Sequence, residues 1–303
     1  MKEWFIKVVC LFLVILLLDW TIGVIMNSLR VRASGGETAR TEYICNKTDA
    51  QILVMGSSRA AHHYDPNVIE NKLGKSCYNC GYDGCGIIVA FSQLQLILER
   101  YEPEIIIYEL TPSYDYIAND NSRFLKVLRP YCYNSSVREV VESIDNTERY
   151  KLLSQAYRYN SVFVSIALDY FRESIDSLKG YKPEFKVLDY EPEFNSDFQE
   201  RCDDIDELKA YYLSRFIEIC SEHSIKLSFV ISPIYQNRSN VAFQYGIEQI
   251  SAKGISVYDL SCDTMLTSQV QYFSDAVHLN ASGARVFSEV LCSKIDSSDD
   301  EGY

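Results

Sequence analysis

The sequence predicts an α/β protein in three layers, α/β/α, with a central parallel sheet and an N-terminal transmembrane helix ahead of it. Short apolar runs that read as buried strands alternate with segments of helical periodicity. The best of these runs are rich in β-branched residues or end in glycine, and residues 4–26 are nearly all apolar, unlike anything after them. The chain has 303 residues and is 47% hydrophobic, ample for one large core. Its net charge of −13 argues against a nucleic-acid partner, because phosphate binding needs concentrated Lys and Arg.

In chain order, "WFIKVVCLFLVILLLDWTIGVIM" comes first, uninterrupted from Val8 to Leu18. Extended to Met26 it is long enough to cross a bilayer at about 1.5 Å per residue. No small-x-small cleavage site follows directly, so residues 1–27 read as an uncleaved signal anchor. Asp19 works against the span, at a cost of ~3 kcal/mol if centred. Arg30, Arg32 and Arg40 follow it, where the positive-inside rule would prefer a cytoplasmic location. Residues 28–49, with "ASGGETART", read as a polar linker.

The folded domain is expected over 50–296. Strands are read at "QILVMG" (51–56), "SCYNCG" (76–81), "EIIIYEL" (104–110), "IKLSFVISP" (225–233) and "ISVYDL" (255–260). Helices are read at 66–73, 87–101, 203–222 and 240–253, with a last one capped by Asn280. Between 111 and 200 the strand signals fade, and a large insertion with helices near 135–147 and 149–176 is expected. Residues 297–303 read as a frayed acidic tail.

Ten cysteines include Cys77, Cys80 and Cys85 in a C-x2-C-x4-C pattern. No fourth ligand falls at finger-like spacing, so no metal site is assigned, and the thiols read as small buried hydrophobes. The nine beyond Cys10 are an odd number, which does not make a complete disulfide framework.

In an open parallel sheet, ligands gather beyond the carboxyl ends of the strands. Ser57 and Ser58 lie there, where the first strand meets a helix. Either they cap that helix, or one of them is a nucleophile beside the free N–H groups of its first turn. A nucleophilic serine needs a base, and the chain has four histidines. His62 and His63 fall on the helix after the serines, pointing away from them, and His223 in a helix C-terminal turn. His278 sits in "YFSDAVHLNASGARVF" with Asp275 three residues earlier, a spacing that folds a carboxylate back onto Nδ1 and aims Nε2 at a serine. The plainer alternative is an Asp and a His that only brace the last helix.

"GSSR" after the first strand, the glycine block "YNCGYDGCG" after the second, and D-x-x-H-L-N before the last helix together resemble the SGNH (GDSL-like) hydrolases. More narrowly, they resemble the membrane-anchored bacterial members associated with acyl modification of cell-surface polymers. The likeness covers about residues 50–295, apart from the middle insertion. It implies an SGNH/flavodoxin-like fold, a Ser58–His278–Asp275 triad, and an oxyanion hole from the N–H groups of Ser58 and Gly84. Gly81 is the alternative donor in the second block, which also includes Asn79. Ser57 stands where the family has aspartate and is the backup nucleophile. Arg59 is either an anchor for an anionic substrate group or part of a surface salt bridge.

The pattern departs after the third strand. The family places an asparagine there as a side-chain oxyanion donor, and this chain has "YELTPSYDY" with Pro112 near that position. Thr111, Ser113 or Asn119 could stand in for it. The resemblance implies a serine esterase or O-acyltransferase acting on acylated carbohydrate, without cofactor or metal. It also implies an extracytoplasmic domain and a membrane O-acyltransferase as partner. The alternative is a non-catalytic, glycan-binding or accessory member.

Overall fold

Five short apolar runs become five parallel strands: β1 (Ile52–Gly56), β2 (Cys77–Asn79), β3 (Ile105–Glu109), β4 (Lys226–Ile231) and β5 (Ser256–Asp259). They lie in the order β2-β1-β3-β4-β5, the doubly wound arrangement of flavodoxin-like sheets. The structure is a computed structural model and describes residues 1–173, 178–190 and 204–300.

Helices fill the remaining segments: α1 (Lys2–Arg32), α2 (Gly36–Asn46), α3 (Ser58–His63), α4 (Pro66–Leu73) and α5 (Ile87–Leu98). After β3 come α6 (Ser135–Ile144), α7 (Phe163–Tyr170), α8 (Glu207–Glu222), α9 (Gln244–Ser251) and α10 (Ala281–Asp300). Their ends follow from side-chain chemistry. Asp65 caps α4 by accepting from the Asn67 N–H, Pro66 opens that helix, and Gly74 in a left-handed conformation stops it. Asp206 and Asn280 cap α8 and α10 in the same way.

The chain divides into two units. One comprises Met1–Lys47 with Asp120–Ile175, the other Thr48–Asn119 with Asp176–Tyr303. In the second unit the sheet is packed on both faces, as the period-2 pattern of its strands requires. Ile52, Val54, Ile107 and Val230 meet Tyr64, Ile69, Phe287 and Leu291 on one face. On the other, the Tyr108 ring packs against Phe229 and Phe216, while Phe91 of α5 meets Tyr212 of α8.

In the first unit, α1 is long and apolar enough to cross a membrane. Asp19 is accommodated rather than stranded. Its carboxylate accepts from the Ser154 hydroxyl and from the N–H groups of Gln155 (2.7 Å) and Ala156 (3.1 Å), capping the short helix Ala156–Tyr159. Two of the arginines after the span are paired locally, Arg30 with Glu42 and Arg40 with Glu37.

Several boundaries differ from the sequence reading. Residues 28–49 are largely helical, not a linker: α1 runs on to Arg32, and α2 buries Thr41, Ile44 and Cys45, a stripe hidden by the polar average of the segment. The insertion is shorter than 111–200, because Leu188 returns to the core and its N–H bonds the Phe273 carbonyl at 2.8 Å. The helix expected over 149–176 is broken into Glu148–Lys151, Ala156–Tyr159 and α7, while 174–176 lie outside the described residues. Part of the acidic tail continues α10, since no Gly or Pro follows Gly283 to stop that helix before Asp300; residues 301–303 lie outside the described set. Cys77, Cys80 and Cys85 are buried, and burial pushes the Cys77 thiol well above its usual pKa. Among the described residues no cysteine is disulfide-bonded.

Candidate active site

In this strand order the chain leaves β1 to one side for β2 and to the other for β3, so a crevice opens beyond the carboxyl ends of β1 and β3. The two serines after β1 separate there. Ser57 is fully buried, its hydroxyl 2.9 Å from Thr111 Oγ1 across the switch point. Ser58 begins α3, and its half-buried hydroxyl lies 2.9 Å from His278 Nε2. The far side of that imidazole faces Asp275, with Nδ1 at 2.9 Å from Oδ2 and 3.1 Å from Oδ1. A carboxylate can only accept here, so Nδ1 carries the proton and Nε2 is left to receive one from Ser58.

The loop that carries the histidine is tightly folded. Phe273 and Leu279 form an antiparallel bridge, and the Ser274 N–H bonds the His278 carbonyl at 2.9 Å. Asp275 Oδ1 accepts from the N–H groups of Val277 and His278, both at 2.8 Å. Burial alone would raise the Asp275 pKa. The hydrogen bond and charge of His278, with the two backbone donors, hold it below the usual carboxylate range.

His62 and His63 both pack edge-on against His278, with ring centroids 5.6 and 5.9 Å away, and neither bonds Ser58. His63 is buried, and desolvation, with Arg59 and the two neighbouring histidines, keeps its pKa well below the ordinary value. Its Nε2 accepts the Leu279 N–H at 2.9 Å, so its Nδ1–H donates to Ser232 Oγ at 2.7 Å. His62 instead faces two acceptors, the Lys182 carbonyl at 2.6 Å from Nδ1 and Asp83 Oδ1 at 3.0 Å from Nε2. Burial would lower its pKa, but these partners and the Glu184 charge raise it. Asp83 also takes Lys182 Nζ at 2.9 Å. Its carboxyl pKa, which burial alone would raise, is held far below normal by His62 and Lys182.

This clip fastens the loop that carries Gly84 to the helix that carries Ser58. Gly84 has φ +69°, a left-handed conformation that glycine adopts without strain, and an added Cβ would meet open space. Gly81 is constrained differently: a Cβ there would sit 2.4 Å from the Ala61 nitrogen, so β2 could not approach α3 so closely.

The His62–Asp83 clip has a definite pH signature. The raised His62 pKa means its contribution is complete below about pH 6.5 and is lost as pH rises through the folded value. The lowered Asp83 pKa makes that contribution complete above about pH 4, and it is lost as pH falls. The stability difference between wild type and His62→Gln is therefore expected to be larger near pH 5.5 than near pH 9, read from paired thermal melts. An equal difference at both pH values would mean that the clip carries no charge.

Four sequence-based assignments need correction. Arg59 is neither on the surface nor in the crevice. It is buried under α3, 3.1 Å from Glu109 Oε1, and donates to the Ser232 carbonyl and hydroxyl. Asn79 is occupied structurally, its Nδ2 donating to the carbonyls of Ala60 (2.8 Å) and Tyr64 (3.0 Å). Its Oδ1 takes the Gly81 N–H at 3.0 Å, which commits the alternative oxyanion donor. Ser57 is committed to Thr111 as well, so Ser57→Ala is expected to leave serine-directed labelling intact while costing about 1–3 kcal/mol, because the Thr111 hydroxyl is left unpaired. Of the stand-ins for the missing asparagine, Thr111 holds Ser57, and Asn119 bonds the Ser113 carbonyl and Lys209.

The crevice has a volume of about 440 Å³. Besides Ser58 and His278 its walls include His62, Asp83, Glu184, Lys186 and Tyr190. Glu184, Lys186 and Tyr190 come from the segment after the insertion, whose polar, aromatic composition gave no sign of a site.

No protein-family model matches the chain, and no curated protein does. Among solved structures it is similar to a G-D-S-L-family protein described as lipolytic from Desulfitobacterium hafniense DCB-2, at 9% identity and a TM-score of 0.39, covering 80% of this chain and 98% of that one. It is similar to a protein described as an acylhydrolase from Bacteroides fragilis NCTC 9343, at 10% identity and 0.37, covering 82% and 86%. It is also similar to a protein described as a platelet activating factor from Streptococcus pneumoniae, at 14% and 0.41, covering 95% and 98%.

Proposed function

We propose that the protein is a membrane-anchored, SGNH-type serine esterase or O-acyltransferase that works on short acyl esters of carbohydrate outside the cytoplasm. The observation that carries this reading is the hydrogen-bonded chain Ser58 Oγ–His278 Nε2, His278 Nδ1–Asp275 Oδ2, at 2.9 Å in each link. His278 takes the Ser58 proton as Oγ attacks the ester carbonyl, and Asp275 stabilises the imidazolium that forms. The tetrahedral oxyanion is held by backbone N–H groups, that of Ser58 in the first turn of α3 and that of Gly84. His278 then protonates the departing alkoxide, leaving an acyl group on Ser58. Water or a sugar hydroxyl, deprotonated by His278, takes the acyl group and restores the hydroxyl of Ser58.

The walls of the crevice support the substrate class. Asp83, Glu184 and Lys186 offer charge and hydrogen bonds rather than the aliphatic surface a long acyl chain needs. Tyr190 adds an aromatic surface to the wall, with Lys186 Nζ over its ring at 5.7 Å from the centre. Location rests on α1, with anchoring through its apolar half. A membrane O-acyltransferase is the partner we propose to supply or share the acyl group.

The test is turnover of p-nitrophenyl acetate, butyrate and octanoate by the full chain in detergent. Acetate is expected to be the best of the three by at least about tenfold in kcat/KM. Preference for octanoate would overturn the short-acyl reading, and no turnover of any ester would favour the accessory reading, which the missing asparagine donor supports. Adding a sugar acceptor then separates transfer from hydrolysis by product analysis.

A further inference from the structure

A second cavity, of about 770 Å³, lies beside the distal half of α1, and every residue around it belongs to the unit of Met1–Lys47 and Asp120–Ile175. Its charge is opposite to that of the chain. Arg30, Arg32 and Arg158 line it against one carboxylate, Glu42, in a protein whose net charge is −13. Glu42 is taken by Arg30, which also donates to Asn27 Oδ1 at 3.0 Å. Arg32 and Arg158 have no hydrogen-bonding or ion-pair partner among the described residues, and Arg158 Nε is shut off from solvent without an acceptor. Both arginines border the cavity, and Asp19, whose charge also acts on Arg158, is already taken by Ser154, Gln155 and Ala156. A phosphate supplies what the two arginines lack, several acceptor oxygens and negative charge in a geometry that matches the guanidinium fork.

The apolar part of the wall says where such a phosphate comes from. Trp20 and Val24 of α1 border the cavity, and both are exposed. Along α1, Leu11–Leu18 are all bare apolar surface; the unbroken run stops at Asp19, where Ser154–Ala156 cap onto the helix, and beyond it exposed Trp20, Ile22, Val24 and Ile25 alternate with covered positions. The cavity thus opens where a membrane-embedded stretch of α1 would emerge, with an indole at the level favoured by interfacial tryptophans. Its volume exceeds what a bare phosphate ion fills and suits a larger polar group. We propose that this cavity binds the phosphate-bearing headgroup of an anionic membrane amphiphile, with Arg32 and Arg158 on the phosphate and the acyl carbons running along α1 towards Trp20, about 18 Å away along the helix at 1.5 Å per residue.

The experiment uses the full chain in an uncharged detergent. The protein has two tryptophans, so Trp4→Phe leaves Trp20 as the only indole and places the probe in the site. Its emission is titrated with short-chain phosphatidylglycerol, short-chain phosphatidylcholine and inorganic phosphate. Phosphatidylglycerol is expected to give a saturable change, with the other two at least about tenfold weaker. Arg32→Gln and Arg158→Gln are each expected to weaken phosphatidylglycerol by about tenfold, whereas Arg149→Gln, an exposed arginine outside the cavity, is expected to leave it unchanged. Arg32 is exposed, so its substitution tests the site without threatening the fold. Equal responses to the two lipids, or unchanged affinity in both cavity variants, would overturn the proposal. Inorganic phosphate binding as tightly as the lipid would overturn the headgroup assignment in favour of a free-phosphate site. None of these readouts depends on ester turnover, so the outcome is independent of the role of Ser58.

Discussion

Ser58→Ala is expected to lower kcat/KM for an aryl acetate by about 10⁴–10⁶-fold, with melting temperature nearly unchanged. His278→Ala is expected to do the same, and the double variant to be no worse than either single one, because nucleophile and base act as a unit. Asp275→Asn keeps the shape of the loop but no longer fixes Nδ1–H, so a loss of about 10⁴-fold is expected. The Ser58 and His278 side chains are half-buried in a crevice, so their truncation creates little cavity. Steady-state kinetics beside thermal melts of the same preparations separates the two effects. Retention of more than a tenth of wild-type turnover in Ser58→Ala would contradict the mechanism.

Glu109→Ala is expected to be the most destabilising single change near the site, at about 3–5 kcal/mol. Glu109 is fully buried at the end of β3 and holds Arg59, the Tyr64 hydroxyl and the Ser232 hydroxyl. Its removal strands the Arg59 guanidinium in the core without a counter-ion. In a chain of this size the loss corresponds to a fall in melting temperature on the order of 10 °C. A hydrophobic pair, Arg59→Met with Glu109→Leu, is expected to recover much of it, since an uncompensated charge costs more than a missing pair. The effect reaches the crevice through Ser232 and His63, which holds the Leu279 N–H beside His278. A melt of Glu109→Ala within 2 °C of wild type, roughly 1 kcal/mol or less, would show that the network is not needed.

The sheet was legible because a buried parallel strand is a run of apolar residues, and "QILVMG", "EIIIYEL" and "KLSFVI" can be little else. The spacing of Asp275 and His278 was legible because it is local: three residues in a loop bring a carboxylate onto a ring. What could not be read was direction. "GSSR" contains two hydroxyls and a guanidinium in four residues, and only the turn from β1 into α3 decides that Ser58 faces the crevice while Ser57 and Arg59 face the core. His62 and His63 fall on α3 and neither bonds Ser58, yet both pack against His278 because α3 is only six residues long and stays beside the crevice. The helix α2 was missed because Gly35 and Gly36 suggest a linker, while the buried stripe Thr41, Ile44, Cys45 needs a packing partner before it means anything.

The central claim is that Ser58 is an activated nucleophile. The most direct test is to incubate the full chain with a fluorophosphonate, digest it, and locate the adduct by mass spectrometry. A single phosphonylated residue is expected, Ser58, with labelling abolished in Ser58→Ala and strongly slowed in His278→Ala. An adduct on Ser57 or on any other serine, or no adduct on folded wild-type protein, would contradict the account.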